Sequence, residues 1–213
     1  LFHPHAPAAS DRTGSYYLAN AIGNPLETAI AVASIIFGGV LDKLPDIKLC
    51  FVHGGGYACY GIGRMDRAYK VRDEGKVNDI QGIPSSYLCK LYFDCLTHSY
   101  PALDYLLETV TSDNVLLGSD FPFDMGFDSP AQWVLDAPNL SDIDKEKILG
   151  GNATRLLGLD SSDCWGFTMI PSADPIVVAP TPTPFDSEDR VDYDVLGRNV
   201  ERWLKTPLSG FVL

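Results

Sequence analysis

Short apolar runs alternate with longer segments of helical hydrophobic spacing along the first part of the chain. Runs typical of buried strands occur at 1–3, 47–53, 91–95 and 114–118. Segments with apolar residues at helical spacing occur at 25–41, 57–72, 101–110, 131–135, 142–149 and 152–157. Strand followed by helix, repeated in this way, predicts an α/β fold with parallel strands and helical crossovers.

Local signals place the starts of two of these helices. Asn24 is a favourable N-cap, and Pro25 suits the first helical position. Ser141 followed by Asp144 resembles a capping box, with Asp in place of the usual Glu or Gln. These signals predict helices that begin near Pro25 and near residue 142.

The amino-acid composition of the chain changes after residue 159. Proline, serine, threonine and aspartate are frequent from 160 to 184, which indicates a linker over 160–175. A short apolar run, an amphipathic segment and a last apolar run then occupy 176–213, as in the opening βαβ piece of a second domain. We therefore expect a first domain at 1–159 and the beginning of another at 176–213.

Four strand–helix units correspond to half of an eight-unit barrel. The chain has no initiator Met, opens on what looks like a strand end and stops inside another apolar run. We therefore expect a fragment: the C-terminal half of a truncated (β/α)8 TIM barrel, a proline-rich linker and the first βαβ piece of a second barrel. A half barrel leaves sheet edges open, so this piece is expected to be incomplete as a folding unit.

Composition excludes some classes of partner. The net charge of −12 argues against nucleic acid, whose phosphates require a basic surface. The best candidate for a membrane span, 28–40, is too short, so no membrane partner is expected. The five cysteines form no CxxC pair and are odd in number, which favours a reducing, cytoplasmic location.

Three side chains that can bind metal stand where predicted strands end: His3, His53 and Asp120. The carboxyl ends of parallel strands meet at one edge of the sheet, so these side chains are expected to converge. Imidazole and carboxylate suit zinc or a similar ion with a bound water, whose pKa falls toward neutrality. We predict His3 and Asp120 as metal ligands, and His53 with Asp120 as catalytic acid/base groups.

Gly54, Gly55 and His98 are the predicted substrate-binding residues. The glycines let the backbone pass close to a substrate carboxylate ahead of a helix N-terminus that favours anions. His98 follows the third predicted strand, but it has an equally good interpretation as a capping or packing residue. Asp94, inside that strand, is also balanced between a structural and a functional role, and His5 is more simply a loop residue.

Several motifs occur in an order and spacing that resembles the aminocarboxymuconate-semialdehyde decarboxylase-like branch of the amidohydrolase superfamily. They are His3-Pro4, Phe51-Val52-His53-Gly54-Gly55-Gly56, Gly63-Arg64, Leu117-Gly118-Ser119-Asp120-Phe121-Pro122-Phe123, Asn152-Ala153 and Leu156-Leu157-Gly158-Leu159. The resemblance covers 1–159. It implies a (β/α)8 barrel with one divalent metal, often Zn2+ and in some members Mn2+. It also implies that His3 and Asp120 are the strand-five and strand-eight ligands, and that His53 positions the metal-bound water and shuttles protons.

The resemblance further implies a metal-dependent decarboxylase acting on an unsaturated or aromatic carboxylic acid, in a parent protein that is a homodimer. A metal-dependent hydrolase on the same scaffold and an inactive fragment are the alternatives. The family's first metal motif, His-x-His or Glu-x-His on strand one, is absent together with strands one to four. We therefore expect this stretch alone neither to bind metal tightly nor to turn over substrate.

The tail resembles the start of a dihydrodipicolinate synthase-like aldolase. The residues that carry this second resemblance are Ala179-Pro180-Thr181-Pro182-Thr183-Pro184-Phe185, Val191-Asp192-Tyr193-Asp194-Val195-Leu196 and Gly210-Phe211-Val212-Leu213. The resemblance implies another TIM barrel with a Schiff-base lysine on a later strand. Neither that lysine nor the expected glycine-rich motif is present, so no aldolase site follows. An unrelated amphipathic extension is the alternative.

Overall fold

The computed structural model describes residues 1–158, 178–180, 198 and 210–212. The larger of two compact units comprises Leu1–Ser119 and continues from Phe127. It contains a three-stranded parallel sheet in the order β1–β2–β3, formed by Cys50–Phe51 (β1), Tyr92–Asp94 (β2) and Val115–Leu116 (β3). Phe2 adds a parallel bridge to Phe51, so four extended segments lie side by side in chain order.

Helices connect and follow these segments. The α-helices are Asn24–Phe37 (α1), Val40–Lys43 (α2), Ala58–Val71 (α3), Tyr100–Val110 (α4), Pro130–Leu135 (α5), Asp142–Glu146 (α6) and Asn152–Leu157 (α7). Turns of π-helix, Ala19–Gly23 and Lys147–Gly151, lead into α1 and α7. Short 3-10 turns occupy His53–Gly55, Asp73–Lys76, Pro84–Lys90 and Ser112–Asn114. The predicted alternation of parallel strands and crossover helices is therefore confirmed over residues 1–158.

The sheet is held by a continuous row of buried side chains. In register, Phe51 pairs with Phe93 and Phe93 with Val115, and all three are 0% exposed. Val32 and Ile36 of α1 are equally inaccessible and belong to the same hydrophobic core. Complete burial of such side chains contributes about 1.5–3 kcal/mol each, so this row fixes the register of the strands.

The predicted N-cap role of Asn24 is wrong. The backbone is already helical at Ala19–Gly23, and the N–H of Asn24 donates to the carbonyl of Ala19 instead of opening the helix. The predicted single helix 25–41 is also divided, because Gly39 adopts φ 67° and separates α1 from α2.

The capping box predicted at Ser141, at the start of α6, is confirmed. The Ser141 hydroxyl accepts the N–H of Asp144 at 3.2 Å and donates to its carboxylate at 2.6 Å. The strands, in contrast, are shorter than predicted. The run 47–53 forms a strand over Cys50–Phe51 alone, because His53 turns into the left-handed region and ends the ladder.

The helical stretch Ala19–Phe37, 19 residues with a mean hydropathy of 1.2, is long and apolar enough to cross a membrane. This stretch begins earlier than the candidate 28–40 and is longer, and the expectation of no membrane partner stays a prediction. Length and composition alone are weak evidence for a span, and core helices pass the same test. Thr28, Ala29, Val32 and Ile36 form a buried face on α1, as in a core helix.

A second unit contains the C-terminal strands. Val178–Pro180 (β4) and Gly210–Val212 (β5) pair in parallel, and Arg198 between them is helical. The predicted linker at 160–175 lies outside the described residues. The aldolase-like interpretation of the tail stays a prediction.

Candidate metal centre

The structure brings together the three side chains at which metal chemistry was predicted. His3, His53 and Asp120 each offer one ligand atom, and these atoms all lie within 4.8 Å of one another. The two imidazole rings meet edge to face, with centroids 5.3 Å apart. His3 is exposed, whereas His53 and Asp120 are half-buried, so the group is open to solvent on one side. Two imidazoles and one carboxylate are side chains of the kind that could hold one divalent cation.

The backbone is unusual at two of these residues, His53 and Asp120, and also at His98. His53, His98 and Asp120 have φ values of 58°, 54° and 56°, a region that residues other than glycine rarely occupy. Each such residue costs on the order of 1–3 kcal/mol, and clusters of them are characteristic of functional sites. All three follow strands of the sheet, so the strand ends turn sharply to direct these side chains.

The glycines after His53 complete one left-handed turn. Residues 53–56 all have positive φ, and the N–H of Gly56 donates to the carbonyl of His53 at 2.8 Å. A Cβ on Gly56 would lie 1.9 Å from the carbonyl oxygen of Pro25, at the start of α1. Only glycine fits this approach, and the contact fixes the loop that carries His53 against α1.

Asp94 joins the ends of three strands. Its side chain is buried, and its Oδ1 accepts the N–H of Gly54 at 2.8 Å and that of Leu96 at 3.1 Å. A Cβ on Gly118 would lie 2.7 Å from the Asp94 Cβ, so the chain after β3 passes directly against this residue. Asp94 therefore holds the His53 turn and the approach to Asp120 in place. Its signal in the sequence is an acidic residue inside an apolar strand.

Thr28 is a contact of His53 that sequence reasoning missed. Its hydroxyl lies 3.2 Å from Nδ1 of His53 and donates to the backbone carbonyl of Asn24 at 3.1 Å. Thr28 is 2% exposed, on the buried face of α1. The only signal in the sequence is a hydroxyl among the apolar residues of a core helix.

The predicted substrate-binding residues occupy different surroundings. Gly54 and Gly55 are buried, and their N–H groups donate to Asp94 and to the carbonyl of Val52. A substrate contact through these N–H groups would have to replace those bonds. His98 is exposed, and its ring centroid lies 4.7 Å from that of Phe127. The roles of all three residues stay predictions, as do the ligand and acid/base roles.

Three cysteines are buried or half-buried in and near the sheet. The cysteines among the described residues, Cys50, Cys59, Cys89 and Cys95, are free. Burial raises the pKa values of Cys50, Cys59 and Cys95 to about 12, and the charge of Asp94 adds to the rise at Cys50 and Cys95. The group of potential metal ligands at the strand ends consists of two imidazoles and one carboxylate.

Comparison with known proteins identifies the family. A family model described as amidohydrolase matches residues 2–159. The chain belongs to this family. It is 39% identical over 162 residues to 2-amino-3-carboxymuconate-6-semialdehyde decarboxylase of Dictyostelium discoideum, a match that covers 75% of this chain and 45% of that protein. The resemblance predicted from the motifs at 1–159 is thereby confirmed, and the chain spans less than half the length of this relative.

Solved structures of two decarboxylases have the same fold over this region. The 5-carboxyvanillate decarboxylase of Sphingomonas paucimobilis superimposes with a TM-score of 0.64 at 26% identity, covering 73% of this chain and 48% of that one. A dihydroxybenzoic acid decarboxylase of Polaromonas, with bound manganese and an inhibitor, gives a TM-score of 0.66 at 22% identity, covering 78% and 51%. The second likeness is one of fold alone.

Proposed function

We propose that the protein containing this chain is a metal-dependent decarboxylase of an unsaturated or aromatic carboxylic acid. The observation that carries the proposal is the convergence of His3, His53 and Asp120 at the strand ends of an amidohydrolase-family sheet. The relatives named above as decarboxylases support this choice. Because the chain spans less than half of its Dictyostelium relative, the activity is proposed for the protein that contains it.

The architecture that we propose is the C-terminal half of a (β/α)8 barrel at 1–159, a linker at 160–175 and the beginning of a second domain at 176–213. Four parallel segments in chain order, joined by helices, support the first assignment. The parallel pairing of β4 with β5 agrees with a βαβ opening of the second domain.

One divalent cation, Zn2+ or Mn2+, would be held by His3 and Asp120 with His53 beside it. Two imidazoles and a carboxylate suit either ion, and the Polaromonas structure holds manganese. When bound, such a cation supplies positive charge that stabilises substrate oxygens and lowers the pKa of a bound water.

The residues of this chain would supply the proton. Decarboxylation breaks the bond between the carboxylate and its neighbouring carbon, whose electron pair takes up a proton as carbon dioxide leaves. His53 and Asp120 are the candidate proton shuttles, since both belong to the group of side chains that is open to solvent through His3. Gly54, Gly55 and His98 are the candidate substrate contacts around them.

Substitution of His53 by Ala in the protein that contains this chain tests the proposal. We expect turnover, followed as carbon dioxide release, to be abolished while most of the metal remains bound. His3→Ala should instead reduce the metal content. His5→Ala, at an exposed loop histidine, serves as the control and should leave both unchanged. Survival of activity in His53→Ala would disprove the assigned role, and a hydrolysis product without carbon dioxide would identify a hydrolase.

Location and assembly are secondary parts of the proposal. The free thiols of the described cysteines agree with a cytoplasmic location. A homodimer is proposed from the family resemblance, and the mass of the purified protein in solution tests it.

A further inference from the structure

We propose that Thr28 fixes the tautomer of His53, with the proton on Nδ1 and the lone pair on Nε2. The distances that support this are 3.2 Å from the Thr28 hydroxyl to Nδ1 and 3.1 Å from the same hydroxyl to the carbonyl oxygen of Asn24. The consequence for catalysis rests on the proposed function, but the tautomer itself does not.

The proton count at the hydroxyl decides the direction of each bond. A threonine hydroxyl has one proton to donate and lone pairs to accept with. The carbonyl of Asn24 can only accept, and it receives that proton. Toward His53 the hydroxyl is then an acceptor, so Nδ1 must carry a hydrogen.

The burial of Thr28 keeps this arrangement in place. The residue is 2% exposed, so solvent does not compete for its hydroxyl. Donation to the carbonyl four residues earlier is the usual bond of a threonine inside a helix. The opposite arrangement would turn the hydroxyl proton away from Asn24 and place a hydrogen on Nε2 of His53.

The two tautomers differ in what His53 can do. Nδ1 is in contact with Thr28, and His53 as a whole lies in one group with His3 and Asp120, so the state of Nε2 matters for binding a ligand there. A lone pair on Nε2 can bind a cation or accept a proton, whereas an N–H at that position can do neither. Thr28 is therefore a positioning residue, which acts through His53 and not on the substrate.

The backbone adds a second constraint on the same ring. His53 has φ 58°, and the N–H of the next residue, Gly54, is held by the buried carboxylate of Asp94. The main chain thus fixes the position from which the His53 side chain leaves the backbone. The contact with Thr28 fixes which edge of the imidazole ring faces α1. A flip of the ring would remove Nδ1 from its partner.

Long-range 1H–15N NMR of the protein that contains the chain, labelled at its histidines, tests the proposal. The spectra are recorded at alkaline pH without metal or substrate, and His53→Ala assigns the signals. We expect a protonated-type shift at Nδ1 and an unprotonated-type shift at Nε2 of His53. Thr28→Ser should keep this pattern, whereas Thr28→Val should move His53 toward the other tautomer or a mixture.

The control is Thr109→Val, because Thr109 makes the same type of helix bond, to the carbonyl of Tyr105 at 2.8 Å, on α4. It should leave the His53 signals unchanged. A protonated Nε2 in the unsubstituted chain would overturn the proposal, as would an unchanged tautomer in Thr28→Val. If Thr28→Val does not fold, the unsubstituted spectrum and the comparison of Thr28→Ser with Thr28→Ala decide.

These spectra do not depend on catalysis, so failure of the proposed decarboxylase would leave the tautomer assignment intact. In the protein that contains the chain, Thr28→Val should lower kcat about 10-fold to 100-fold, the usual effect of removing a partner of a metal-site histidine. KM should change little, and Thr28→Ser should restore most of kcat. A loss of kcat without a change of tautomer would assign Thr28 a purely structural role.

Discussion

The two ends of the parallel sheet are built differently. At the carboxyl ends, His53, His98 and Asp120 hold left-handed backbone conformations and direct polar side chains outward. At the amino ends, asparagine side-chain amides donate hydrogen bonds to backbone carbonyls. Asn114 donates to the carbonyls of Cys89 and Leu91 ahead of β2, at 3.0 and 2.7 Å.

Asn152 makes the corresponding bonds at the start of β3. It is 0% exposed, and its Nδ2 donates to the carbonyls of Ser112 at 2.6 Å and Val115 at 2.7 Å. Arg155 continues the network by donating to the carbonyl of Asp113 at 2.7 Å. The candidate chemistry therefore lies at the carboxyl ends, while at the amino ends Asn114 and Asn152 bond the main chain and stabilise the fold. Barrel enzymes divide their strand ends in this way. Positive φ occurs at both ends, since Thr111 ahead of β3 has φ 71°.

Gly56→Ala should have the largest effect, because it adds a Cβ that would lie 1.9 Å from the carbonyl oxygen of Pro25 at a positive φ. We expect a loss of about 4 kcal/mol in the free energy of unfolding, measured with urea. Gly61→Ala in α3, where nothing lies within 4 Å of an added Cβ, is the matched control and should stabilise by about 1 kcal/mol. Equal stability of the two variants would refute the close approach.

Asn152→Ala tests the amino end. It removes the donor of two backbone carbonyls, and we expect a loss of about 3 kcal/mol in unfolding free energy. Metal affinity of the folded protein should stay unchanged. Asn139→Ala, at an exposed asparagine that bonds to Asp104, should cost less than about 0.5 kcal/mol. A large loss of metal affinity in Asn152→Ala would break the division between the two ends.

Asp120→Asn tests the carboxyl end. Asparagine tolerates a positive φ, so the unfolding free energy should change little. Metal affinity of the protein containing the chain, measured by calorimetry, should fall about 100-fold. Asp128→Asn, at an exposed carboxylate of the same loop, should leave the affinity unchanged. Unaltered affinity in Asp120→Asn would remove this residue from the metal centre.

Tyr87→Phe should have the smallest effect and should depend on pH. The Tyr87 hydroxyl donates to Asp42 at 2.6 Å, which lowers the pKa of that carboxyl. The stabilisation is therefore present above the ordinary aspartate value near pH 4 and is lost as the pH falls through the lowered folded pKa. We expect a loss of about 1 kcal/mol near neutral pH that shrinks in acid, measured by urea unfolding. A difference independent of pH would contradict the Asp42 contact.

The sequence predicted the order of the helices and strands well, but it predicted the first and last residues of the strands poorly. Helices α3 and α4 lie within one residue of the predicted segments 57–72 and 101–110. The strands were predicted too long, since a strand ends where its neighbour stops pairing, and that neighbour is distant in sequence. The cap at Asn24 was wrong because the preceding turn is itself helical.

The candidate site shows the same limit. His3, His53 and Asp120 were found from the sequence because each follows an apolar run, which is a local feature. Thr28 was missed because its partner His53 lies 25 residues away. The role of Asp94 was left open because its partner Gly54 lies 40 residues away.

The spacing of apolar residues by itself determined the α/β alternation and the set of polar residues at the strand ends, because strand and helix periods are properties of neighbouring residues. Only the tertiary structure decided which atoms meet: the hydroxyl of Thr28 at His53, the carboxylate of Asp94 at Gly54, and the amide of Asn152 at β3. These contacts depend on how helices pack on the sheet, which local spacing does not specify.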